Sequence, residues 1–323
     1  MTSTALFASG VLVPNQLMQS QLGEGGDTLN IPSWLDLASV ADPGGSDPYF
    51  SDDNPAHLSV PSKIAAINHV VRKTYANNSW AAASFAGELA GSDPMQRIAE
   101  RVNAYWDRTY EYRLIKSLYG ILLSNVANNS GDLVVDISAA TADVPVTING
   151  TDYTSPSFSR NAVIDAAFTM GDRASDFKAI ALHSSIVREA AKNNEIETIR
   201  DADNNILFQT YAGMAVLQDD GLALAAGKYL SVIFGGGAVG FASGDPSTGY
   251  GTEVFRLPNQ GYGGGVTELY SRRNSIIHPY GFSFLSGSVA AASPTSAELA
   301  LAANWARVVP QRKQVPLCFL VTT

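Results

Sequence analysis

From Asp93 to Asn128, side chains suited to a core recur at helical spacing: Met95, Ile98, Val102, Tyr105, Thr109, Tyr112, Ile115, Leu118, Leu122 and Val126. Charged residues fill the gaps, among them Arg97, Glu100, Arg101, Arg108 and Lys116. A period near 3.6 predicts one amphipathic helix. Asp93 is suited to be its N-cap, and Pro94 sits at the first helical position, where a missing N–H does no harm. Asn128-Asn129-Ser130-Gly131 supplies turn chemistry at the far end. Roughly 34 residues rising about 1.5 Å each make a rod of about 50 Å, long enough to span a domain.

Before this helix the pattern is different. Residues 1–26 are small and polar with little periodicity, ending in Gly23-Glu24-Gly25-Gly26, and are expected to form an arm that orders only by lying on another surface. Thr28 to Leu37 alternates like a strand, with Pro32 acceptable at an edge. Ala41 to Pro61 holds four prolines, four aspartates and two glycines and is too polar to pack. Alternation resumes from Lys63 to Tyr75. Two extended segments around a polar tip predict a long projecting hairpin, which with no third strand needs a partner surface. Trp80 to Ala90 is alanine-rich and predicts a short helix closed by Gly91.

After the long helix the elements shorten. Leu133 to Ile137 reads as a strand, and Val144 to Thr154 as a hairpin turning at Asn149-Gly150. Ser159 is expected to cap a helix from Arg160 to about Met170. A continuous apolar strand, Lys178 to His183, precedes a helix to Asn193 capped by Ser184. Strands are expected at Ile206–Gln209, Met214–Leu217 and Tyr229–Phe234, so that 133–243 forms a compact α/β subdomain. Glu253 to Leu285 is strand-rich around a Gly261–Gly265 loop. A helix at Ala297–Ala303 and a strand at Val315–Val321 complete the chain.

Composition narrows the function classes. Hydrophobic residues make up 46% of the 323 positions and charged residues only 16%, pointing to a folded protein with much surface left for contacts. A net charge of −9 argues against a dedicated nucleic-acid binder, while allowing a container wall that tolerates DNA. The single cysteine, Cys318, lies in an apolar run and is expected in the core. No basic, apolar leader opens the sequence and its longest apolar window is short and glycine-rich, so neither a signal peptide nor a membrane span is expected.

Candidate chemistry is sparse. Gly235-Gly236-Gly237-Ala238-Val239-Gly240 has the letters of a dinucleotide fingerprint, yet the residues after it cannot continue the helix that would hold a pyrophosphate. His183 and Ser184 with Asp219-Asp220 make a hydrolytic trio on paper only, for no nucleophile elbow surrounds any serine. The four histidines and the cysteine lack metal-ligand spacing, and the pairs Asp52-Asp53 and Asp219-Asp220 read as solvated turns. No catalytic, cofactor-binding or metal residue is expected, and the chain is not expected to be an enzyme.

Ordered phrases in the sequence resemble the major capsid protein of tailed bacteriophages, whose Hong Kong 97-type capsid fold is shared with encapsulins. They are Gly26-Asp27-Thr28-Leu29-Asn30-Ile31-Pro32, Leu89-Ala90-Gly91-Ser92-Asp93-Pro94, the helix carrying Tyr105-Trp106, Ala181-Leu182-His183-Ser184 and Tyr211-Ala212-Gly213. Val216-Leu217-Gln218-Asp219-Asp220, Phe234 to Ala238, and Arg272-Arg273 with His278-Pro279-Tyr280-Gly281-Phe282 follow. Their order, rather than any one of them, carries the likeness.

The resemblance implies an α+β fold with an N-terminal arm (1–27), an extended loop hairpin (28–80), a peripheral domain (81–132 and 253–292) with the spine helix at 93–128, and an α/β axial domain (133–252 and 293–323). It implies a virion coat subunit that partners itself in pentamers and hexamers around double-stranded DNA, with weak, sequence-independent DNA contact. The Gly261–Gly265 loop becomes a contact at three-fold axes. Some members carry a fused N-terminal scaffolding segment; Met1 favours a separate scaffolding protein instead, alongside a portal and a decoration protein, with assembly in the bacterial host cytoplasm. Lys63 and Lys73 lie where some members crosslink, but no acceptor asparagine or acidic partner is identified. Two alternatives stay open on sequence: an encapsulin-like nanocompartment holding protein cargo, and a cytoplasmic α/β enzyme using the Gly235–Gly240 turn.

Overall fold

A computed structural model describes residues 11–35, 37, 45–61, 63–200, 206–247 and 249–323. The first ten residues of the arm and residues 38–44 of the extended loop lie outside the described residues.

Two sheets form the body, joined by one helix. The first has the order β5 (Val134–Asp136), β18 (Leu317–Thr322), β12 (Tyr229–Gly235), β8 (Phe177–Leu182), β11 (Met214–Gln218), β10 (Ile206–Tyr211), β9 (Ile196–Arg200). It is mixed: β5 with β18 and β8 with β11 are parallel, the remaining pairs antiparallel. Its central strands are mostly apolar because both faces are covered, and strand periodicity sends alternate residues to opposite sides. Val232, Phe234, Leu317 and Phe319 pack on the long helix, α3 (Pro94–Asn128). Ile233, Cys318 and Leu320 pack on α4 (Arg160–Phe168) and α5 (Ser184–Lys192).

The second sheet is organised by β15 (Val266–Pro279). Along one side β14 (Thr252–Leu257) pairs with its first half and β13 (Val239–Gly244) with its second; β4 (Thr74–Ala83) runs along the other. Here the sequence expectation needs correcting. Trp80 to Ala83 is strand, and the helix α2 is only Ser84–Ala90, closed by Gly91 in the left-handed conformation. Helix propensity of the alanines is overridden by ladder pairing of Ala83 to Val266 and Trp80 to Leu269.

α3 spans both sheets. Asp93 Oδ1 accepts from Met95 N (2.8 Å), and Pro94 opens the helix. Its first half lays Val102, Trp106 and Tyr110 on Leu269 of the second sheet; its second half lays Leu114, Leu118, Ile121 and Leu122 on the first. The buried stripe thus steps by four from Val102 through Trp106, Tyr110 and Leu114, whereas Tyr112 and Val126 are exposed. Trp106 Nε1 donates to Ser271 Oγ (3.0 Å). At the other end Gly120 lets the chain after α6 (Ser296–Leu299) approach, and Trp305 Nε1 donates to Leu299 O (2.8 Å) against it.

From Leu12 onward the arm lies on its own chain. β1 (Leu12–Pro14) pairs in parallel with β13, and α1 (Gln16–Gln21), capped by Asn15, buries Met18. Met18 and Leu22 meet Val71, Ala242 and Ile276 under the base of a two-stranded hairpin, β2 (Thr28–Trp34) with β3 (Ala66–Arg72). That base is clamped by Val70 N donating to Ser283 Oγ (2.9 Å) and the Arg72 guanidinium to Ala292 O (2.8 Å). Asn149 and Gly150, both at positive φ, join β6 (Val146–Ile148) to β7 (Thr151–Tyr153), the geometry that Asn-Gly favours. Two short strands, β16 (Phe282–Phe284) and β17 (Trp305–Arg307), pair beside the hairpin base.

Candidate functional site

Most of the residues singled out for chemistry have structural partners. The glycine turn at Gly235–Gly240 links β12 of one sheet to β13 of the other, so a strand follows it. A Cβ on Gly235 would lie 2.8 Å from Pro316 Cβ, and one on Gly240 2.7 Å from Met18 Cε. These glycines serve close packing, and a pyrophosphate would find no helix N-terminus there.

The paper trio does come together, but in the wrong order. His183, not Ser184, is the N-cap of α5: its Nδ1 accepts from Ser185 N (3.1 Å). The Ser184 hydroxyl donates to Asp220, holding that carboxyl below its usual range. His183 Nε2 stands 3.9 Å from Asp220. A relay needs serine donating to imidazole and imidazole to carboxylate. Here the serine bypasses the ring, and Asp219 caps its own turn by accepting from Gly221 N (2.6 Å).

Asp52 is bonded to His57 in the exposed loop (2.5 Å), and Asp53 extends into solvent beside it. Among the described residues no group of three or more histidine, cysteine or acidic side chains is placed to hold a metal ion, and no helix is long and apolar enough to cross a membrane. Cys318 is wholly buried, its thiol against Ala166 O, and burial pushes its ionisation up. Lys63 is exposed, whereas Lys73 is about 1% accessible and gives its ammonium to Glu24 O (2.6 Å). Lys73 therefore fastens the arm to the hairpin base.

What remains open on the molecule is surface. Between the hairpin strands the chain carries Tyr49, Phe50, Leu58, Val60 and Ile64 uncovered, Phe50 at 80% and Leu58 at 78% accessibility. Trp34 and Leu37 extend the same series from β2. Phe85 and Leu89 project from one face of α2, Tyr262 from the Gly261–Gly265 turn, and Ile199 from the edge strand β9. Isolated exposed apolar residues are ordinary, but this many in one segment without a core of its own make a sizeable apolar surface. Arg272 and Arg273, by contrast, are satisfied internally, bonded to Glu253 (2.5 Å) and Asp245 (2.6 Å). The sequence located the two strands that pair as a hairpin; it did not reveal which side chains stay bare, since that depends on packing between distant segments.

No family model matches the chain. It is 30% identical over 317 residues to the major capsid protein of Bacillus phage SPP1, covering 96% of this chain and 88% of that protein. Its fold is similar to the capsid of Ralstonia phage GP4 (TM-score 0.55, 12% identity, 100% of this chain and 92% of that one). A chain from Mycobacterium phage Bobi (0.53, 13%, 99% and 90%) and the capsid of cyanophage Pam1 (0.52, 13%, 94% and 87%) resemble it likewise. These structures speak for the fold alone, the sequence relative for kinship. A helix bridging two sheets, a clamped hairpin with a bare tip and a relative matched almost end to end agree: the chain belongs to the bacteriophage major capsid proteins, structural coat subunits with the Hong Kong 97-type fold.

Proposed function

We propose that the chain assembles as pentamers and hexamers into an icosahedral shell enclosing double-stranded DNA of a tailed phage. The observation that carries this reading is the relative, a major capsid protein aligned over 96% of the chain. The uncovered hairpin tip supports it: side chains bare in one copy find cover in a closed array of identical copies. In this reading the seven-stranded body is the axial domain, meeting its copies around five- and six-fold axes. The second sheet with the first half of α3 is the peripheral domain, and the hairpin is the extended loop lying across a neighbour. Its mechanism is mechanical, many modest contacts summed over a closed surface. DNA contact is sequence-independent and weak, in keeping with a net charge of −9.

Assembly takes place in the host cytoplasm with a separate scaffolding protein, a portal and a decoration protein. Negative-stain microscopy of the expressed chain, with and without a candidate scaffold, tests the reading. Shells, tubes or capsomer rings are expected; particles filled with protein cargo in the native source would replace the DNA container by a nanocompartment.

A further inference from the structure

Where the hairpin base meets the middle of α3, a cavity of about 20 Å³ lies among Arg72 of β3, Thr74 of β4, Arg113 and Ser117 of α3 and His278 of β15. Phe284, Leu299 and Trp305 form its apolar wall. A space of that size admits one small species, a water or a monatomic ion, and is too small for a phosphate.

Two guanidiniums and no acidic side chain line this space. Arg72 has the Asp27 carboxylate at 3.7 Å, but Asp27 is exposed and is not part of the cavity wall. Arg113 has no ion-pair partner among the described residues, and burial lowers its ionisation with no nearby charge to oppose it. Its Nη2 donates to Pro294 O (2.8 Å) and to Thr74 Oγ1 (3.1 Å), while its Nε and Nη1 have no hydrogen-bond partner among the described residues. Thr74 Oγ1 accepts that bond and so keeps its own hydrogen to give. Ser117 is spent, its hydroxyl donating to Arg113 O (3.0 Å). His278 brings no charge at ordinary pH, pushed down to about 3 chiefly by burial. A protein interior rarely holds a cation without a counter-charge, because the cost of taking it from water is otherwise unopposed.

We propose that this cavity binds a single halide ion, chloride in ordinary salt, held by the Arg113 guanidinium with the Thr74 hydroxyl and Arg72 beside it. The ion supplies the negative charge that the chain itself does not place there, and it takes charge-assisted hydrogen bonds from donors left over by the fold. A water would accept the same bonds and leave both positive charges uncompensated. A metal cation would be repelled by both. The ion ties the hairpin base, β4 and α3 together, three segments joined otherwise only by the bonds of Arg113 and by packing. The site lies within one subunit, so it stands apart from how copies assemble.

Urea unfolding of full-length, dissociated subunits tests this at constant ionic strength, with sodium chloride replacing sodium gluconate, whose anion is too bulky for the cavity. A ligand held only by the folded chain raises the folded-to-unfolded ratio by 1 + [L]/Kd, about tenfold for about 200 mM chloride and a Kd of about 20 mM. Arg113→Gln keeps a donor for Pro294 O and removes the charge, and its gain is expected to stay below about twofold. Arg101→Met, at an exposed arginine elsewhere on α3, is expected to keep the full gain, which separates the site from general salt effects on the surface. No gain in the unaltered chain means a water only and overturns the proposal. An equal gain in Arg113→Gln overturns it too, since the halide then binds elsewhere. Should Arg113→Gln fail to fold, Thr74→Val decides: it keeps the shape of the side chain without the hydroxyl. Its gain is expected to fall to about threefold, as a fivefold weaker site requires, and an undiminished gain sinks the site.

Discussion

His69 on β3 and His278 on β15 stand edge to face with ring centroids 6.2 Å apart, both buried, at the joint between the extended hairpin and the body. His69 Nδ1 lies 3.4 Å from Phe282 O, and among the described residues neither Nε2 has a hydrogen-bond partner. Burial holds both imidazoles neutral, reinforced at His278 by its neighbour: His278 is pushed down to about 3, and His69 is lowered as well. The unfolded chain takes up protons near pH 6.5 that the folded chain refuses. Stability is therefore whole above that pH and falls as the pH drops below it, for His278 down to about 3, by up to about 1.4 kcal/mol per pH unit per histidine. Urea unfolding of dissociated subunits between pH 7.5 and 5 is expected to show this slope, and His278→Gln a shallower one. Parallel slopes would assign the effect to other groups.

Gly120 is expected to tolerate no side chain. An added Cβ would lie 2.2 Å from Leu299 O and 2.6 Å from Trp305 Nε1, inside the bond those two atoms make. Gly120→Ala should destabilise the subunit by about 1–3 kcal/mol, read as a lower urea midpoint with unchanged slope.

Trp106 depends on one partner. Its indole N–H donates to Ser271 Oγ in a buried setting, so Ser271→Ala strands the donor. A loss of about 1–3 kcal/mol is expected, and Ser271→Thr should recover most of it. Equal losses in both variants would point to packing instead.

Lys73 reaches back 49 positions in sequence to Glu24 O, in a bond of 2.6 Å. Lys73→Met keeps the buried stem and removes the charged donor, a change of about 1.5–3 kcal/mol. Limited proteolysis is expected to cut faster around Gly23–Gly26, while the seven-stranded body stays resistant. Unchanged cleavage would mean that Met18 and Leu22 hold the arm unaided.

What was legible in the sequence was local. Asp93-Pro94 and the run to Asn128 declare α3 through their own caps, and Asn149-Gly150 declares its turn. Hidden features depend on distant pairing. Trp80 to Ala83 is strand only because Val266 to Leu269 lies beside it. The arm is fixed by β13 and Val71, although Asn15 followed by Met18 and Leu22 carried a faint helical signal. The stripe of α3 was misread at Tyr112 because two sheets, rather than one, decide which face is buried. Among the candidate sites, the sequence showed that no helix follows the glycine turn, and β13 stands there. It offered no means of seeing His69 meet His278.

The most direct test of the whole account follows backbone amide hydrogen exchange in residues 45–61, in dissociated subunits and in assembled particles. Fast exchange in subunits and protection by at least about tenfold in particles are predicted, because copies of the chain cover the loop. Equally fast exchange in both states, with particles intact, would contradict the claim that the projection is completed by its neighbours.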